Sequence, residues 1–152
     1  MALFKSDTAA GRKPGVSITE ASGGVLRFEY TIAAALVVGD VIHMGDMPAN
    51  NTLAADATLI SDDLDSNATP TIVLAAGILN AGLTAMGAGA ADTWIAASTI
   101  GQAGGVARAS ANAMLSGGTQ YVPRPLGVVV STGAATAAMV GKKIVLTVTV
   151  TG

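Results

Sequence analysis

The chain has 152 residues, a hydrophobic fraction of 51% and a formal net charge of −2, which fits one domain with one core. With only 8 Lys and Arg residues and no long basic stripe, the chain has no broad positive electrostatic potential that would attract nucleic acid. We therefore expect no direct nucleic-acid binding. The absence of Cys excludes disulfides, thiolate metal ligands and thiol nucleophiles.

The N-terminal segment, residues 1–22, mixes Gly, Ser, Thr and Pro with charged side chains and contains Lys5, Arg12 and Lys13. This composition predicts an extended arm that precedes a domain at residues 23–152. The segment lacks the apolar region of a signal peptide, so we expect synthesis in the cytoplasm.

Two segments alternate apolar and polar residues with the period of a half-buried strand. In the first, Leu26, Phe28, Tyr30 and Ile32 should face one way, and Arg27, Glu29 and Thr31 the other. In the second, near the C-terminus, the apolar set is Ile144, Leu146, Val148 and Val150.

Shorter strand candidates lie between these two segments, separated by turns rich in Gly, Pro and Asn. They cover residues 36–44, 57–61, 70–79, 92–96, 119–131 and 135–141. Many short strands at such spacing predict an all-β fold, a β-sandwich or jelly-roll-like domain. The Ala-rich residues 94–115 allow at most one short helix, which Gly104 and Gly105 would end. The uncharged residues 66–91 are interrupted by Pro70 and several Gly, so we expect no membrane span.

Three acids, Asp62, Asp63 and Asp65, crowd into the link between two strand candidates. The spacing of Asp63, Asp65 and Asn67 imitates a calcium loop, but Ala68 stands where Gly is needed and no Glu follows at the twelfth position. We therefore predict a turn in which Asp and Asn side chains bond their own backbone, and no metal site.

His43 is the single histidine, which excludes a multi-histidine metal site within one chain. No G-x-S-x-G elbow accompanies it, so a packing or hydrogen-bonding role is favoured over catalysis. No glycine-rich segment matches a phosphate-binding loop. We expect neither a cofactor nor enzymatic activity; a small hydrolase would need His43 within reach of a Ser or Asp in a pocket.

Residues 32–79 carry a set of structural motifs: G-D-V-I, P-A-N-N-T, S-D-D-L-D, and N-A-T-P-T before V-L-A-A-G. Together with AASTIGQAGG at residues 96–105, they resemble the tailed-bacteriophage capsid decoration, or cement, proteins. The resemblance covers about half the chain and implies a β-sandwich or jelly-roll protein that sits on the outer surface of an HK97-type capsid, within the virion.

The expected partners follow from this resemblance and from a core poor in large side chains. They are the major capsid protein, contacted by an arm carrying Lys5, Arg12 and Lys13, and other copies of the chain in a homodimer or alternatively a trimer. The acidic residues 62–65 should stay on a rim. The alternative is a non-catalytic receptor- or glycan-binding module of a phage fibre or tail, which would display exposed aromatic side chains on one face.

Overall fold

The computed structural model describes residues 1–12, 24–48, 53–89, 91–110 and 122–151. Within these ranges the chain forms strands β1 (Leu3–Lys5), β2 (Gly24–Thr31), β3 (Val41–Met47), β4 (Leu53–Ser61), β5 (Val73–Ile78), β6 (Thr93–Ser98), β7 (Gly105–Arg108), β8 (Arg124–Thr132) and β9 (Lys143–Thr151). A 3-10 helix, Ile100–Gln102, is the one helical element of the described ranges. The predicted short helix is thus confirmed as a single turn. The same ranges hold no helix with the length and hydropathy of a membrane span.

The strands form two sheets. The first has five strands in the order β1-β3-β8-β5-β6, and the second has four in the order β2-β9-β4-β7. β1 pairs with β3 in parallel, whereas the other pairings between named strands are antiparallel. Both sheets contribute to one cluster of buried apolar side chains, which confirms the predicted all-β sandwich. Its jelly-roll form stays a prediction.

The alternation predicted for β2 and β9 is confirmed. Leu26 lies opposite Val148 and Phe28 lies opposite Leu146 in this antiparallel pair. All four are buried, while Arg27 on the other face is exposed. The pleat therefore turns one side of each strand to the core and leaves the other side to solvent.

Aliphatic side chains dominate the core. The largest fully buried side chains are all Ile, Leu or Met: Ile32, Ile42, Met44, Met47, Leu59, Leu64, Ile72, Leu74, Leu126, Met139, Ile144 and Leu146. Each contributes ~1.5–3 kcal/mol by leaving water. Phe28, Tyr30 and Trp94 are the buried aromatics among the described residues. Stability therefore depends on close packing of many medium-sized groups.

The outer strands of the first sheet offer little regular backbone for further pairing. β1 has 3 residues. At the opposite edge, the pairing of β6 with β5 shifts register on both sides of Ala76, and Ala97 in β6 has a φ of 49°. Short and bulged edges of this kind resist the addition of another strand.

The prediction of a strand at residues 135–141 is wrong. This segment forms turns, and its pairing is limited to an isolated bridge between Ala137 and Asp65. The physical reason is that the Asp65 carboxylate accepts hydrogen bonds from the backbone N–H groups of Ala135 and Thr136. Those N–H groups are then not available to a sheet ladder. Its predicted partner, residues 119–131, does contain a strand, β8.

The N-terminal segment contacts the domain through its first residues. β1 extends the first sheet, and the buried Ser6 donates its N–H to the carbonyl oxygen of His43 at 2.9 Å. Lys13 and the rest of the predicted arm to residue 22 lie outside the described residues. The division between an arm at residues 1–22 and a domain at residues 23–152 stays a prediction.

Close packing predicts that Gly127→Ala destabilises the domain. Gly127 lies in β8 between β3 and β5, and a Cβ there would lie 2.5 Å from the Ile42 carbonyl oxygen and 2.5 Å from Leu79 Cδ1. Because backbone and core must both shift, we expect a loss of ~1–3 kcal/mol in the free energy of unfolding, measured by urea denaturation.

Gly133→Ala is the matched control. The nearest atom to its Cβ would be Val38 N at 3.7 Å, an ordinary contact, so the change should stay within ~0.5 kcal/mol. Equal unfolding midpoints for the two variants would contradict the packing argument.

Candidate interaction surface

β1 and β2 lie along the same open edge of the sandwich. Each is the terminal strand of its own sheet, and the rings of Phe4 and Tyr30 connect them, with centroids 6.1 Å apart. Between the two strands lies a cleft of about 510 Å³. Its lining consists of Leu3, Phe4, Lys5, Asp7, Ala10, Arg12, Glu29, Tyr30, Thr31 and Ala33. The cleft is open to solvent and is lined by both apolar and charged side chains.

The structure brings two of the predicted basic residues, Lys5 and Arg12, to this cleft. Arg12 lies 3.7 Å from Asp7, and their side chains are 77% and 48% exposed. An ion pair this exposed contributes little to stability, because water screens it and two long side chains lose freedom in forming it. Lys5 is exposed as well. Lys5 and Arg12 can therefore leave their present surroundings and bind a carboxylate of a partner protein at a low cost in free energy.

Glu29 supplies the opposite charge on the rim of the cleft. It accepts hydrogen bonds from Lys143 at 2.8 Å and Arg27 at 3.1 Å. Hydrogen bonding to Lys143, and secondarily to Arg27, lowers the pKa of the Glu29 carboxyl. Glu29 thus stays ionised and holds two cations beside the cleft.

Tyr30 forms part of the floor of the cleft. Burial raises the pKa of its phenol against the opposing effect of a hydrogen bond with the backbone of Ala33, and the negative charge of Asp40 raises it further. The phenol is therefore neutral at physiological pH, and the floor presents no charge to a bound group.

Two buried polar residues hold β1 in place. Asp40 is 1% exposed and accepts hydrogen bonds from the N–H of Ala2 at 2.6 Å and of Val37 at 2.9 Å. The Ser6 hydroxyl donates to the carbonyl oxygen of Met44. Sequence reasoning missed both residues. The Gly39-Asp40 pair is a turn signal that could have indicated Asp40, whereas nothing local distinguishes Ser6.

The acidic stretch forms the predicted backbone-bonded turn. Asp63 Oδ1 accepts the N–H of Asp65 at 3.1 Å, and Asn67 Oδ1 accepts the N–H of Thr69 at 2.9 Å. Asp62 is exposed, but Asp65 is buried, so the acidic stretch does not lie on the surface as a whole. In the part of the chain that the structure describes, no three His, Cys, Asp or Glu side chains are grouped to hold a metal ion.

Asp65 organises a larger region than its sequence position indicates. Its two carboxylate oxygens accept backbone N–H groups from two separate loops: Asn67 at 3.3 Å, Thr71 at 2.8 Å, Ala135 at 2.8 Å and Thr136 at 2.9 Å. Burial by itself would raise the pKa of this carboxyl. The N–H groups outweigh burial and hold the pKa of Asp65 well below its usual range.

His43 lies in β3 and is 7% exposed. Its Nε2 lies 3.0 Å from Asp46 Oδ1, three residues along the chain. The predicted hydrogen-bonding role is therefore confirmed. His43 is absent from the lining of the cleft between β1 and β2.

Comparisons with known proteins identify similar chains of known structure. No protein-family model matches the sequence, and no curated protein matches it either. A chain from the capsid of Ralstonia phage GP4 is 34% identical, with a TM-score of 0.83 over 98% of this chain and 97% of that chain. A chain from the capsid asymmetric unit of cyanophage Pam1 is 27% identical, with a TM-score of 0.66 over 91% of this chain and 90% of that one.

Asp65→Asn should lower the melting temperature at neutral pH by about 5–10 °C, because an amide offers one acceptor oxygen and turns an NH₂ group toward backbone donors. The folded pKa of Asp65 is depressed. Its stabilising contribution is therefore complete above about pH 5 and is lost as the pH falls through the acid range. Thermal melts between about pH 7 and pH 2 should show the wild type losing stability more steeply than the variant.

Asp56→Asn is the control for this experiment. Asp56 is 43% exposed and pairs with Arg108 at 3.3 Å, so its loss should leave both the melting temperature and the acid profile nearly unchanged. Parallel acid profiles for wild type and Asp65→Asn would contradict the assigned role of Asp65.

Proposed function

Since the chain belongs to the same family as the Ralstonia phage GP4 capsid chain, and so is a phage capsid-related structural protein of the virion, we propose that it decorates and cements the shell. It binds the lattice of the major capsid protein from the outside and holds neighbouring subunits together. The observation that carries the proposal is similarity to a capsid chain along nearly the whole of both chains.

The chemistry of the surface supports a binding role without catalysis. The described residues contain no candidate metal cluster, and His43, which does not line the cleft, is hydrogen-bonded to Asp46. A protein that stabilises a shell acts through contact area and charge, which this sandwich offers at its open edge. We assign the docking role to that edge and to the N-terminal segment, with Lys5, Arg12 and Lys13 as the cations that contact carboxylates of the major capsid protein.

Self-association completes the proposed arrangement. Copies on a shell lie close together, so a homodimer or alternatively a trimer would bind more tightly than one copy through the combined effect of several weak contacts. The exposed Asp62 would stay on the rim of such an assembly.

The described aromatic side chains favour decoration over the alternative of a receptor- or glycan-binding fibre module. Phe28, Tyr30 and Trp94 are buried in the core, and Phe4 is half-buried against Tyr30. Tyr121 lies outside the described residues. The described set thus forms no exposed aromatic platform of the kind that sugar rings stack on.

Virion composition gives a direct test of decoration. A cement protein should be present in a copy number on the order of that of the major capsid protein, because it repeats with the lattice. Quantitative mass spectrometry of purified virions measures this ratio. A ratio of a few copies per particle would contradict decoration and favour a fibre or tail component.

Charge reversal tests the docking edge. Arg12→Glu combined with Lys5→Glu should weaken binding to heads lacking the protein by about tenfold or more, because two attractive contacts become repulsive. Co-sedimentation across a protein titration measures the apparent Kd. Charge reversal is preferable to truncation, because removing residues 2–6 would also remove β1 and its bonds to Asp40 and β3.

Arg108→Glu is the matched control for Arg12→Glu made alone, since each substitution changes the net charge by the same amount. Arg108 is 74% exposed beside Asp56, much as Arg12 is 77% exposed beside Asp7. Arg108 lies on β7, at the opposite edge of the second sheet from β2. Equal losses for both substitutions would show a general charge effect and contradict docking by the β1–β2 edge.

A further inference from the structure

Among the described edge strands, β2 is the one that combines length with regular pairing. It has 8 residues, and its pairing with β9 runs without a register shift. The other edge strands are β1 with 3 residues, β7 with 4 residues, and β6, whose pairing with β5 is interrupted. A long edge strand presents a row of unpaired N–H and C=O groups, and such an edge accepts another strand.

Two contacts at the end of β2 show which of its backbone groups point away from β9. Ile32 donates its N–H to the carbonyl oxygen of Lys142 at 2.9 Å, so its backbone points toward the β9 side. Lys143 instead bonds Asp62 on the β4 side, through its N–H at 2.8 Å and its carbonyl oxygen at 3.0 Å. Because bonded and non-bonded pairs alternate in an antiparallel ladder, Thr31, opposite Lys143, points its backbone outward.

The same alternation gives the full outer edge of β2. The residues whose N–H and C=O groups point outward are Val25, Arg27, Glu29 and Thr31. Within the described ranges, β2 pairs with β9 and with no other strand. The side chains of Arg27 and Glu29 are 59% and 28% exposed, and they lie 3.1 Å apart. The edge is therefore a regular ladder of backbone donors and acceptors with one base and one acid at its centre.

Arg27 and Glu29 make this edge complementary to itself. When two copies of β2 pair in antiparallel fashion around a two-fold axis at Phe28, Arg27 of each copy lies opposite Glu29 of the other copy. An axis at Arg27 would place this cation opposite itself, and an axis at Glu29 would place the anion opposite itself. Both of these shifts also leave part of the strand unpaired. Charge and length therefore favour the same register, the one centred on Phe28.

We propose that the outer edge of β2 binds the same edge of a second copy of this chain in the register centred on Phe28. The two four-stranded sheets then form one continuous sheet. The charges identify the occupant, because a matching strand must carry an acid and a base two residues apart in the reverse order, and antiparallel β2 does so. Val25 of each copy lies opposite Thr31 of the other, a pair of β-branched side chains that suits a sheet.

The size of the contact sets its strength. One pair of strands is small beside the roughly 800 Å² per partner of a standard interface, so the contact is weak in solution and strengthens when copies are held near each other. At the far edge of each sheet, β7 has 4 residues and offers little backbone for a further strand. The pairing therefore stops at two copies.

This contact rests on the self-association part of the proposed function and not on capsid binding. Sedimentation velocity of the purified full chain across a concentration series should show a reversible dimer with an apparent Kd of about 1–100 µM. A chain that stays monomeric at about 1 mM would overturn the contact.

Two single substitutions test the register. Arg27→Glu leaves two acids on the edge and Glu29→Arg leaves two bases, so each variant should associate with itself at least about tenfold more weakly than the wild type. A mixture of the two variants should associate as the wild type does, because the acids of one copy then face the bases of the other. The double variant should regain self-association for the same reason. A mixture that associates no better than either variant alone would contradict this register.

Arg108→Glu serves as the control for Arg27→Glu. It makes the same change in charge on β7, at the opposite edge of the same sheet. Arg108 is 74% exposed and pairs with Asp56 at 3.3 Å, much as Arg27 pairs with Glu29. Association should be unchanged in this variant. Equal weakening by both substitutions would show a general effect of charge and would rule out the β2 contact.

Amide hydrogen exchange of the wild type separates strand pairing from a contact between side chains. The N–H groups of Arg27 and Glu29 should exchange rapidly in the dilute monomer and at least about tenfold more slowly as the dimer forms. The N–H of Phe28, which points toward β9, should exchange slowly in both states. Slow exchange of Arg27 and Glu29 in the monomer would mean that the chain covers its own edge. Rapid exchange in the dimer would place the contact elsewhere, and either result refutes the proposal.

Binding to empty heads separates this contact from capsid decoration. The two contacts use different groups: the backbone of β2 for the second copy, and the side chains of Lys5 and Arg12 for the shell. If the wild type dimerises through β2 but does not bind heads, decoration fails and the β2 contact stands. If the wild type binds heads and stays monomeric at about 1 mM, decoration stands and the β2 contact fails.

Discussion

Two buried carboxylates, Asp40 and Asp65, organise the end of the sandwich from which its interaction surfaces extend. Each accepts backbone N–H groups from one segment nearby and one distant in sequence: Asp40 joins Val37 to Ala2, and Asp65 joins residues 67–71 to residues 135–136. A carboxylate in a low-dielectric site is costly unless such donors surround it, and here they do. The loops therefore keep defined conformations with few polar side chains of their own.

The regular part of the fold could be predicted from the sequence because it follows from local alternation. In β2 and β9, every second residue is apolar, and the pleat alone decides which side chains enter the core. The loops could not be predicted in the same way. The N–H groups of Ala135 and Thr136 bond a carboxylate some 70 residues earlier in the chain, so an apparently strand-like segment becomes a turn. Similarly, nothing near Leu3 indicates that it pairs with Val41.

The candidate interaction surface could likewise be predicted only in part from the sequence. Lys5 and Arg12 could be selected from the sequence as basic residues of an N-terminal segment. Their position in a cleft beside Glu29 and Tyr30 depends on β1 and β2 being the edges of two different sheets. The exposure of Val37 and Val38 could not be predicted, since a run such as AAALVV reads equally well as a buried strand. In the structure Leu36 is buried, whereas the two valines after it are exposed.

The blunted edges of the first sheet bear on how such a protein avoids uncontrolled polymerisation. A β-sandwich with long, regular and unpaired edge strands can stack edge to edge into fibrils. Along β1 a foreign strand would find a ladder of 3 residues, and along β6 it would meet a broken register around Ala76. Endless strand addition to either edge of the first sheet is thereby disfavoured, so contacts made by this sheet must come from its side chains.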